Sequence, residues 1–387
     1  MPADDPIRCE QEFPLQQMPL TGCKGRGAIS NLQGRFERQL REDFDDGWQN
    51  EFGIDDRATF GRDTEVIEEQ AKTILSRNQS PDLPFGVSLN PYRGCEHGCI
   101  YCFARPTHSY LGMSPGLDFE SRIFAKVNAP ELLIRELGKA AYLPQTIALG
   151  VNTDAYQPCE RKLGLTRRVL EVLHACEHPV ALITKSSLIE RDIDLLAPMA
   201  AKRQVMAAVT LTTLDAKIAR TLEPRAAAPT RRLHTIRTLA EAGIPVAVSV
   251  APVIPFITEP EFESVLTAAR EAGASHAGYV VLRLPWEVNP LFQQWLQAHF
   301  PERAQRVMNR VRDLHGGKDY DASFATRMRG TGVWSKLIRQ RFEQAARRLD
   351  LHRHAYGAML LDASRFKKPG TVAASPSANN KQLDLFA

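Results

Sequence analysis

The chain contains the stretch Cys95-Glu96-His97-Gly98-Cys99-Ile100-Tyr101-Cys102, in which three thiols are spaced C-x3-C-x2-C. The residues before it, 88–92, are typical of the end of a strand. Gly94 and Gly98 indicate a tight loop, because glycine adopts backbone angles that other residues avoid. A short loop that carries three thiols directly after a strand is suited to hold a metal group.

Three interpretations of this loop compete. Free cysteines are often buried as small apolar side chains, but their tight clustering beside two glycines disfavours an ordinary core. A structural zinc with His97 as fourth ligand is disfavoured because such sites usually add a second, distant ligand pair, and His352 and His354 lie too close together. The favoured interpretation is a [4Fe–4S] cluster, since thiolates hold such clusters and three of them leave one iron open.

The motif also carries a resemblance to a known family. C-x3-C-x2-C with an aromatic residue, Tyr101, directly before the last cysteine resembles the signature of radical S-adenosylmethionine (SAM) enzymes. The flanking residues 90–95 and 101–105 resemble the branch related to spore photoproduct lyase, a DNA repair enzyme, and its uncharacterised bacterial members in particular. The resemblance extends over roughly residues 86–361.

The resemblance implies a mechanism and a set of cofactors. In that family the equivalents of Cys95, Cys99 and Cys102 hold a [4Fe–4S] cluster, and the amino and carboxylate groups of SAM bind the fourth iron. An electron from the cluster cleaves SAM to methionine and a 5′-deoxyadenosyl radical. A reductant such as flavodoxin or ferredoxin is therefore an expected partner.

Apolar runs alternate with amphipathic stretches from residue 86 onward, which predicts an α/β fold with a parallel sheet. The predicted strands are 86–90, 145–151, 180–184, 205–211, 246–250 and 278–282. The predicted helices between them are 130–141, 165–176, 189–200, 231–242 and 261–272. Periodicity alone does not separate a barrel from an open sheet; the family resemblance implies a partial (β/α)6 TIM-like barrel of the radical SAM type.

Polar side chains follow the predicted strands, at the edge where parallel βα folds place their active sites. One explanation is helix capping, because Ser, Thr and Asp are favoured at helix N-termini. Their recurrence at several strand ends favours a cofactor site instead. The predicted cofactor-binding residues are Tyr101, Asn152, Thr153, Asp154, Lys185, Ser186, Thr212 and Arg225.

Composition divides the chain into four predicted parts. Residues 1–80 form an N-terminal extension with a predicted helix at 64–77, and residues 81–286 form the radical SAM core. Residues 287–365 form a C-terminal helical region with predicted helices at 290–299, 302–314 and 333–349. Residues 366–387 are rich in Thr, Ala, Ser, Pro and Asn, which predicts a flexible tail.

Bulk properties narrow the class of protein. No apolar run reaches the ~18 residues of a membrane span, and the N-terminus lacks a signal-peptide pattern, so we expect a cytoplasmic protein without membrane contact. The odd number of cysteines, 7, argues against a disulfide framework. A net charge of +4 permits nucleic-acid binding without demanding it.

The sequence of the C-terminal helical region is compatible with two roles. Its dense arginines indicate either a solvated helix face or a track for phosphates of DNA or RNA. Trp286, Phe292, Trp295 and Trp334 are candidates for base stacking, although aromatics at helical spacing usually belong to a core.

The last residues carry a second motif. Gln382-Leu383-Asp384-Leu385-Phe386 resembles the peptide by which bacterial replication and repair proteins dock on the DNA polymerase sliding clamp. Gln382, Leu383, Leu385 and Phe386 are the predicted partner-binding residues. Large apolar side chains in an extended tail can fill a pocket on a partner.

Together these patterns predict a radical SAM enzyme that acts on nucleic acid, in repair or modification, by a lyase-like reaction. Cys159 lies in a loop where a hydrogen-donating thiol is conceivable, but it matches no family position. Two alternatives remain open: a non-catalytic iron–sulfur or zinc protein that docks on DNA, and a radical SAM enzyme with another substrate.

Overall fold

The computed structural model describes residues 25–37, 63–352 and 361–370 of the chain. Within these ranges, short strands rich in β-branched and small apolar residues alternate with helices. The ten strands are β1 (Glu65–Glu69), β2 (Leu75–Arg77), β3 (Val87–Leu89), β4 (Tyr92–Arg93), β5 (Arg122–Lys126), β6 (Ile147–Leu149), β7 (Val180–Thr184), β8 (Val205–Thr210), β9 (Val246–Val253) and β10 (His276–Val281).

The larger sheet has the strand order β10-β9-β8-β7-β6-β3-β2. The six strands from β3 to β10 are parallel and adjacent in chain order, and β2 pairs with β3 in the antiparallel direction. Every residue of β8 is buried, as expected when both faces of a parallel sheet are covered. This order confirms the predicted α/β class and its six βα units, and no described pairing joins β10 to β2 to close the barrel.

Helices cover the outer face and extend past the last strand. They are α1 (Leu117–Ser121), α2 (Ala129–Gly138), α3 (Glu160–Leu163), α4 (Leu165–Ala175), α5 (Ile193–Ala201), α6 (Ala216–Leu222), α7 (Pro229–Glu241), α8 (Phe262–Glu271), α9 (Val288–His299), α10 (Pro301–Leu314) and α11 (Gly332–Arg348). Proline occupies the first turn of α2, α7 and α10, where its missing N–H costs nothing.

The helix predicted at 64–77 is wrong. β1 pairs in parallel with β5, and β2 pairs with β3. The spacing of Val66, Ile74 and Leu75 resembled a helical face, but main-chain pairing with strands farther along the chain overrode it. β2 and β3 pair across the boundary drawn at residue 80, although the four-part division itself stays a prediction.

Two further departures are local. The helix predicted at 189–200 is divided into a 3₁₀ segment, Ser187–Asp192, and α5. The sequence analysis also missed β4 and β5, which join β1 in a small second sheet beside the cysteine loop. These strands are short, and their pairing partners are distant in sequence.

The C-terminal helices form a second apolar core. Phe292 and Trp295 are fully buried in it, so these two rings belong to packing and not to a stacking surface. Trp334 packs against the main core, whereas Trp286 is exposed.

Residues 361–370 cross the amino ends of the strands. Leu361 packs with Met206 and Ala247 of the sheet. The Asp362 N–H donates to the Arg203 carbonyl at 2.8 Å, and the Phe366 ring centroid lies 5.2 Å from that of His178. The predicted tail from 366 thus begins with residues that pack on the barrel, and the predicted partner-binding residues 382–386 lie outside the described ranges.

No helix in the described ranges is both long and apolar enough to cross a membrane. The cytoplasmic location stays a prediction.

Candidate cluster and cofactor site

The cysteine loop follows β4 at the carboxyl-end side of the barrel. Gly94 and Gly98 have φ of 77° and 65°, in the region that favours glycine. A Cβ on Gly98 would lie 2.7 Å from Oε2 of Glu120, so a side chain there would collide with a buried carboxylate. The loop therefore needs both glycines, as their positions in the sequence indicated.

The loop brings its three thiols together in a buried place. Cys95 and Cys99 are each 7% exposed, Cys102 is half-buried, and none forms a disulfide. Burial raises the pKa of Cys95, and the neighbouring charges of Asp154, Cys99 and Cys102 raise it further. Burial likewise raises the pKa of Cys99 to about 12. Such thiols ionise only when a positively charged group joins them, which is what an iron–sulfur cluster provides.

The contact of His97 with Asp154 disfavours a zinc ion with His97 as its fourth ligand. In the described ranges no group of three or more His, Cys, Asp or Glu side chains is placed to hold one metal ion. His97, the proposed fourth zinc ligand, is 2% exposed and its Nδ1 lies 3.2 Å from Asp154 Oδ2. In a cubane cluster each thiolate binds a different iron, so the three sulfurs need not converge on one point. The donor set fits a cluster.

A buried ion pair braces the loop from behind. Arg105 donates from Nε to the Cys99 carbonyl at 2.9 Å and from Nη2 to the Gly98 carbonyl at 3.1 Å. The same guanidinium pairs with Glu120, and both side chains are fully buried. Because a buried charge without its partner is strongly unfavourable, this pair fixes the carbonyls that shape the loop.

Glu120 also fastens the N-terminal segment to the loop. Its two carboxylate oxygens accept hydrogen bonds from the backbone N–H groups of Gly27 at 2.9 Å and Ala28 at 2.8 Å. A Cβ on Gly27 would lie 1.9 Å from the Gly98 carbonyl oxygen, so only glycine fits. Residues 27 and 28 thus pack against the cysteine loop.

Asp154 connects the loop to two strand ends. It accepts hydrogen bonds at 2.7 Å from the Thr184 hydroxyl and from the Lys185 N–H, and it faces His97. Burial alone would raise the pKa of Asp154, but the His97 charge and these hydrogen bonds lower it to about 2. The carboxylate is therefore ionised at neutral pH beside the cysteines.

A second buried carboxylate, Glu223, gathers polar groups beneath the loop. It accepts hydrogen bonds from the Tyr101 and Thr212 hydroxyls and pairs with Arg232. Burial would raise the pKa of Glu223, but the charges of Arg232 and Lys185 lower it. Sequence reasoning did not single out Glu223 or Arg232 as site residues.

Lys185 supplies a positive charge beside Cys99. Burial would lower the pKa of Lys185, yet the charges of Cys99, Glu223 and Asp154 raise it overall. Its Nζ lies 5.9 Å from the centroid of the Tyr101 ring. The ammonium in turn lowers the pKa of Cys99 against the effect of burial.

Comparison with known proteins identifies the family. Residues 89–269 match the family described as the radical SAM superfamily. An uncharacterised protein of Mycobacterium tuberculosis is 36% identical over 235 residues, which cover 60% of this chain and 68% of that protein. An uncharacterised protein of Methanocaldococcus jannaschii is 24% identical over 247 residues, covering 64% and 88%.

The chain belongs to the radical SAM superfamily. Members of this superfamily use a [4Fe–4S] cluster and SAM.

Solved structures show the same fold. Spore photoproduct lyase complexed with dinucleoside spore photoproduct has a TM-score of 0.50 at 13% identity, covering 82% of this chain and 87% of the lyase. A substituted lyase with bound AdoMet and the same dinucleoside has a TM-score of 0.50 at 12% identity, covering 82% and 87%. This confirms the predicted radical SAM type of α/β fold.

The other cofactor-binding residues predicted for this radical SAM chain differ in what they contact. Thr153 is buried and donates its hydroxyl to the Tyr92 carbonyl at 3.0 Å, while the Ser186 hydroxyl accepts the Leu188 N–H at 3.2 Å as a helix cap. Asn152 has an exposed side chain. Thr153 and Ser186 hold backbone, whereas Asn152 is open to a ligand; their part in binding SAM stays a prediction.

Arg225 lies at the back of the loop. Its guanidinium donates to Thr64 Oγ1 at 2.9 Å and pairs with Glu96 at 3.1 Å. Glu96 also accepts the Cys159 N–H, so Arg225 belongs to the scaffold of the radical SAM site.

Cys159 lies against Glu96 of the cysteine loop. It packs beside the apolar cluster of Tyr92, Ile123 and Leu165. Burial, then the Glu96 charge, raises the pKa of Cys159. This environment gives no support to a hydrogen-donating role.

Proposed function

We propose that this radical SAM enzyme binds a [4Fe–4S] cluster through Cys95, Cys99 and Cys102, cleaves SAM reductively, and acts on a nucleic-acid lesion or modification. The observation that carries the proposal is the set of three free thiols in one buried, braced loop beside the carboxyl ends of the parallel strands. When bound, the cluster supplies the electron that splits SAM into methionine and a 5′-deoxyadenosyl radical.

The chain's own residues prepare the site for that chemistry. Arg105 holds the loop carbonyls, and Asp154 holds the ends of β6 and β7 against the loop. Lys185 keeps a positive charge beside Cys99 and Tyr101, where it offsets the thiolate charge and can meet the carboxylate of SAM. The fold surrounds this place with buried side chains, and such surroundings protect a reactive radical from water.

A substrate of nucleic-acid type is supported by likeness of fold. Spore photoproduct lyase, with the TM-score given above, is complexed in its structure with a dinucleoside lesion. At 13% identity that likeness does not carry the lyase reaction over to this chain. The exposed aromatic and arginine side chains near the cysteine loop, described below, are a second support.

Anaerobic reconstitution tests the chemistry. Protein loaded with iron and sulfide, then given SAM and dithionite or a reduced flavodoxin or ferredoxin, is expected to release 5′-deoxyadenosine and methionine. A nucleoside product consisting only of S-adenosylhomocysteine would contradict reductive cleavage. Product analysis by liquid chromatography and mass spectrometry separates the two outcomes.

The substrate is tested in the same reaction. DNA oligonucleotides that carry a dinucleoside spore photoproduct, or another ultraviolet lesion, are compared with undamaged oligonucleotides of the same sequence. We expect lesion loss and faster 5′-deoxyadenosine release only with the damaged strand. Cleavage of SAM that no DNA accelerates or converts would point to a substrate of another class.

We further propose that the chain docks on the DNA polymerase sliding clamp through Gln382, Leu383, Leu385 and Phe386. A few apolar anchors usually carry most of the energy of such an interface. Calorimetry with purified clamp and the peptide 378–387 should give measurable binding, and replacing Leu385 and Phe386 by Ala should remove most of it. Absence of binding at roughly tens of micromolar, for peptide and whole protein alike, would refute the docking.

A further inference from the structure

Exposed aromatic rings are concentrated at the cysteine-loop end of the molecule. Five large aromatic side chains in the described ranges are exposed, and four of them have an arginine guanidinium against the ring. They are Phe36, Phe103, Tyr110, Trp286 and Phe324. Exposed apolar side chains that lie together, unlike scattered ones, are a sign of an interaction site.

Three of these rings lie on segments that meet beside the cluster loop. Phe103 directly follows Cys102, and Trp286 follows β10. The guanidinium of Arg35 lies 4.3 Å from the Trp286 ring centroid and 5.3 Å from that of Phe36. The N-terminal segment therefore joins the loop after β10 to this surface.

The surface continues from Phe36 to Tyr110. Their ring centroids are 4.9 Å apart, and Tyr110 is 69% exposed. The Ser109 hydroxyl donates to Glu287, which also accepts a hydrogen bond from Arg35 at 2.7 Å. We call the set Phe36, Phe103, Tyr110 and Trp286, with Arg35 and Arg283, the aromatic strip.

Arg283 differs from the other arginines of this surface because no carboxylate is paired with it in the described ranges. Arg35 is neutralised by Glu287, and Arg327, which lies against Phe324, is neutralised by Asp82 at 2.5 Å. Arg283 forms no ion pair within the described ranges: its Nη1 donates to the Met328 sulfur at 3.1 Å, its other polar partner is the Tyr320 side chain, and its Nε is buried without a hydrogen-bond partner. Its guanidinium lies 5.1 Å from the Phe103 ring centroid, next to the cluster loop. An anionic group of a ligand would complete this site.

We propose that the aromatic strip binds an unpaired segment of a DNA strand, with bases stacked on its rings and a phosphate held by Arg283, and so delivers the strand to the cluster loop. This inference rests on the proposed action on DNA. Bases stack on aromatic faces and guanidinium planes, and single-stranded nucleic acid is bound by combining both with positive charge.

The composition of the strip suits an unpaired DNA strand. Its large exposed apolar side chains are all aromatic, as base stacking requires, because the five exposed aliphatic side chains of the described ranges lie in other segments. They are Val66, Ile134, Leu143, Val333 and Leu337.

Fluorescence anisotropy with a single-stranded DNA oligonucleotide and the full-length, cluster-loaded protein tests the strip. Replacing Trp286 by Ala should weaken binding roughly fivefold to 150-fold, the range for loss of one base stack. Trp286→Phe should keep most of the affinity, because it keeps a stacking face. Leu143→Ala, an exposed apolar change outside the strip, is the matched control and should bind as wild type does.

Arg283 is tested by salt dependence. Arg283→Gln should lower the slope of log affinity against log salt by about 0.7, the effect of losing one phosphate contact to a single strand. An unchanged slope would show that Arg283 does not hold a phosphate of the DNA strand. A duplex of the same sequence that binds as tightly, with the same losses in the variants, would overturn the assignment to an unpaired strand.

The outcomes separate this inference from the function on which it rests. Wild-type protein that binds DNA, with Trp286→Ala and Tyr110→Ala binding equally well, overturns the strip and leaves the proposed function intact. Wild-type protein that releases 5′-deoxyadenosine but binds no DNA refutes the DNA substrate and the strip together. Iron content and the thermal unfolding midpoint of each variant show that a lost affinity does not reflect a lost fold.

Discussion

At the carboxyl ends of the parallel strands the interior holds charged side chains, whereas at the amino ends a returning segment covers apolar and aromatic ones. The first region contains the buried pairs Arg105–Glu120 and Arg232–Glu223 beside the thiols. The second contains Leu361 and Phe366 packed on the sheet and on His178. Buried charges are costly unless paired, so the chain confines them to the end where a charged cluster and cofactor must be held, and it gives the other end to packing.

The largest expected difference between the two ends concerns cysteine. Replacing Cys95, Cys99 or Cys102 by Ala should abolish 5′-deoxyadenosine release, because each removes one cluster ligand. Cys176, buried near the amino ends, is the matched control, and Cys176→Ala should keep about four irons and four sulfides per chain. A triple variant at the loop that retained a full cluster would contradict the ligand assignment.

The two ends should also differ in how much stability is lost when an ion pair is broken. Glu223→Gln leaves the buried Arg232 guanidinium without its counter-charge and should lower the free energy of unfolding by about 3–5 kcal/mol. The control at the other end is Glu177→Gln, whose partners Lys202 and Lys367 are exposed, and we expect a change below about 1 kcal/mol. Urea denaturation measures both; equal losses would mean that the two ends do not differ in this way.

Burial of His178 should make the amino end sensitive to mild acid. Burial lowers the pKa of His178 to about 4, so the unfolded chain takes up a proton near pH 6.5 while the folded one does not. Stability from this group is therefore full above the unfolded pKa and is lost as the pH falls from about 6.5 to 4, by roughly 3 kcal/mol. His178→Gln should make the unfolding free energy fall less steeply across that window, as urea titrations at several pH values would reveal.

Asp154, at the cluster end, should respond to acid at lower pH than His178 does. The pKa of Asp154 is lowered to about 2, so its contribution is full above the unfolded pKa near 3.9 and is lost as the pH falls toward 2. Asp154→Asn should remove roughly 2 kcal/mol of stability at neutral pH and flatten only this lower window. A variant that instead changed the window from pH 6.5 to 4 would show that the two groups had been assigned to the wrong transitions.

The parts of the fold that sequence predicted well are those with local causes. The apolar run 180–184 was predicted as a strand and is β7 with the same bounds, because β-branched residues there end at a polar capping sequence. The helix predicted at 64–77 was wrong because β1 depends on β5, which comes after the cysteine loop. Pairing between segments distant in sequence leaves no local signal.

The residues of the candidate site also divide into those with a local signal in the sequence and those without one. The cysteines could be found because their spacing is a local property, and Asp154 and Lys185 because they directly follow predicted strands. Arg105, Glu120, Glu223 and Arg232 were missed as site residues, since each acts through a partner in another segment. A buried charge pair is visible only once the chain is folded.

The contact between the N-terminal segment and Glu120 has a practical consequence for the design of a shortened chain. The family match begins at residue 89, yet Glu120 receives two of its hydrogen bonds from Gly27 and Ala28. A chain trimmed to the matched residues would keep every cysteine and still expose the back of the loop, leaving a buried carboxylate short of two donors. Such a fragment would be a poor host for its metal, and its failure to load iron would say nothing about the intact enzyme.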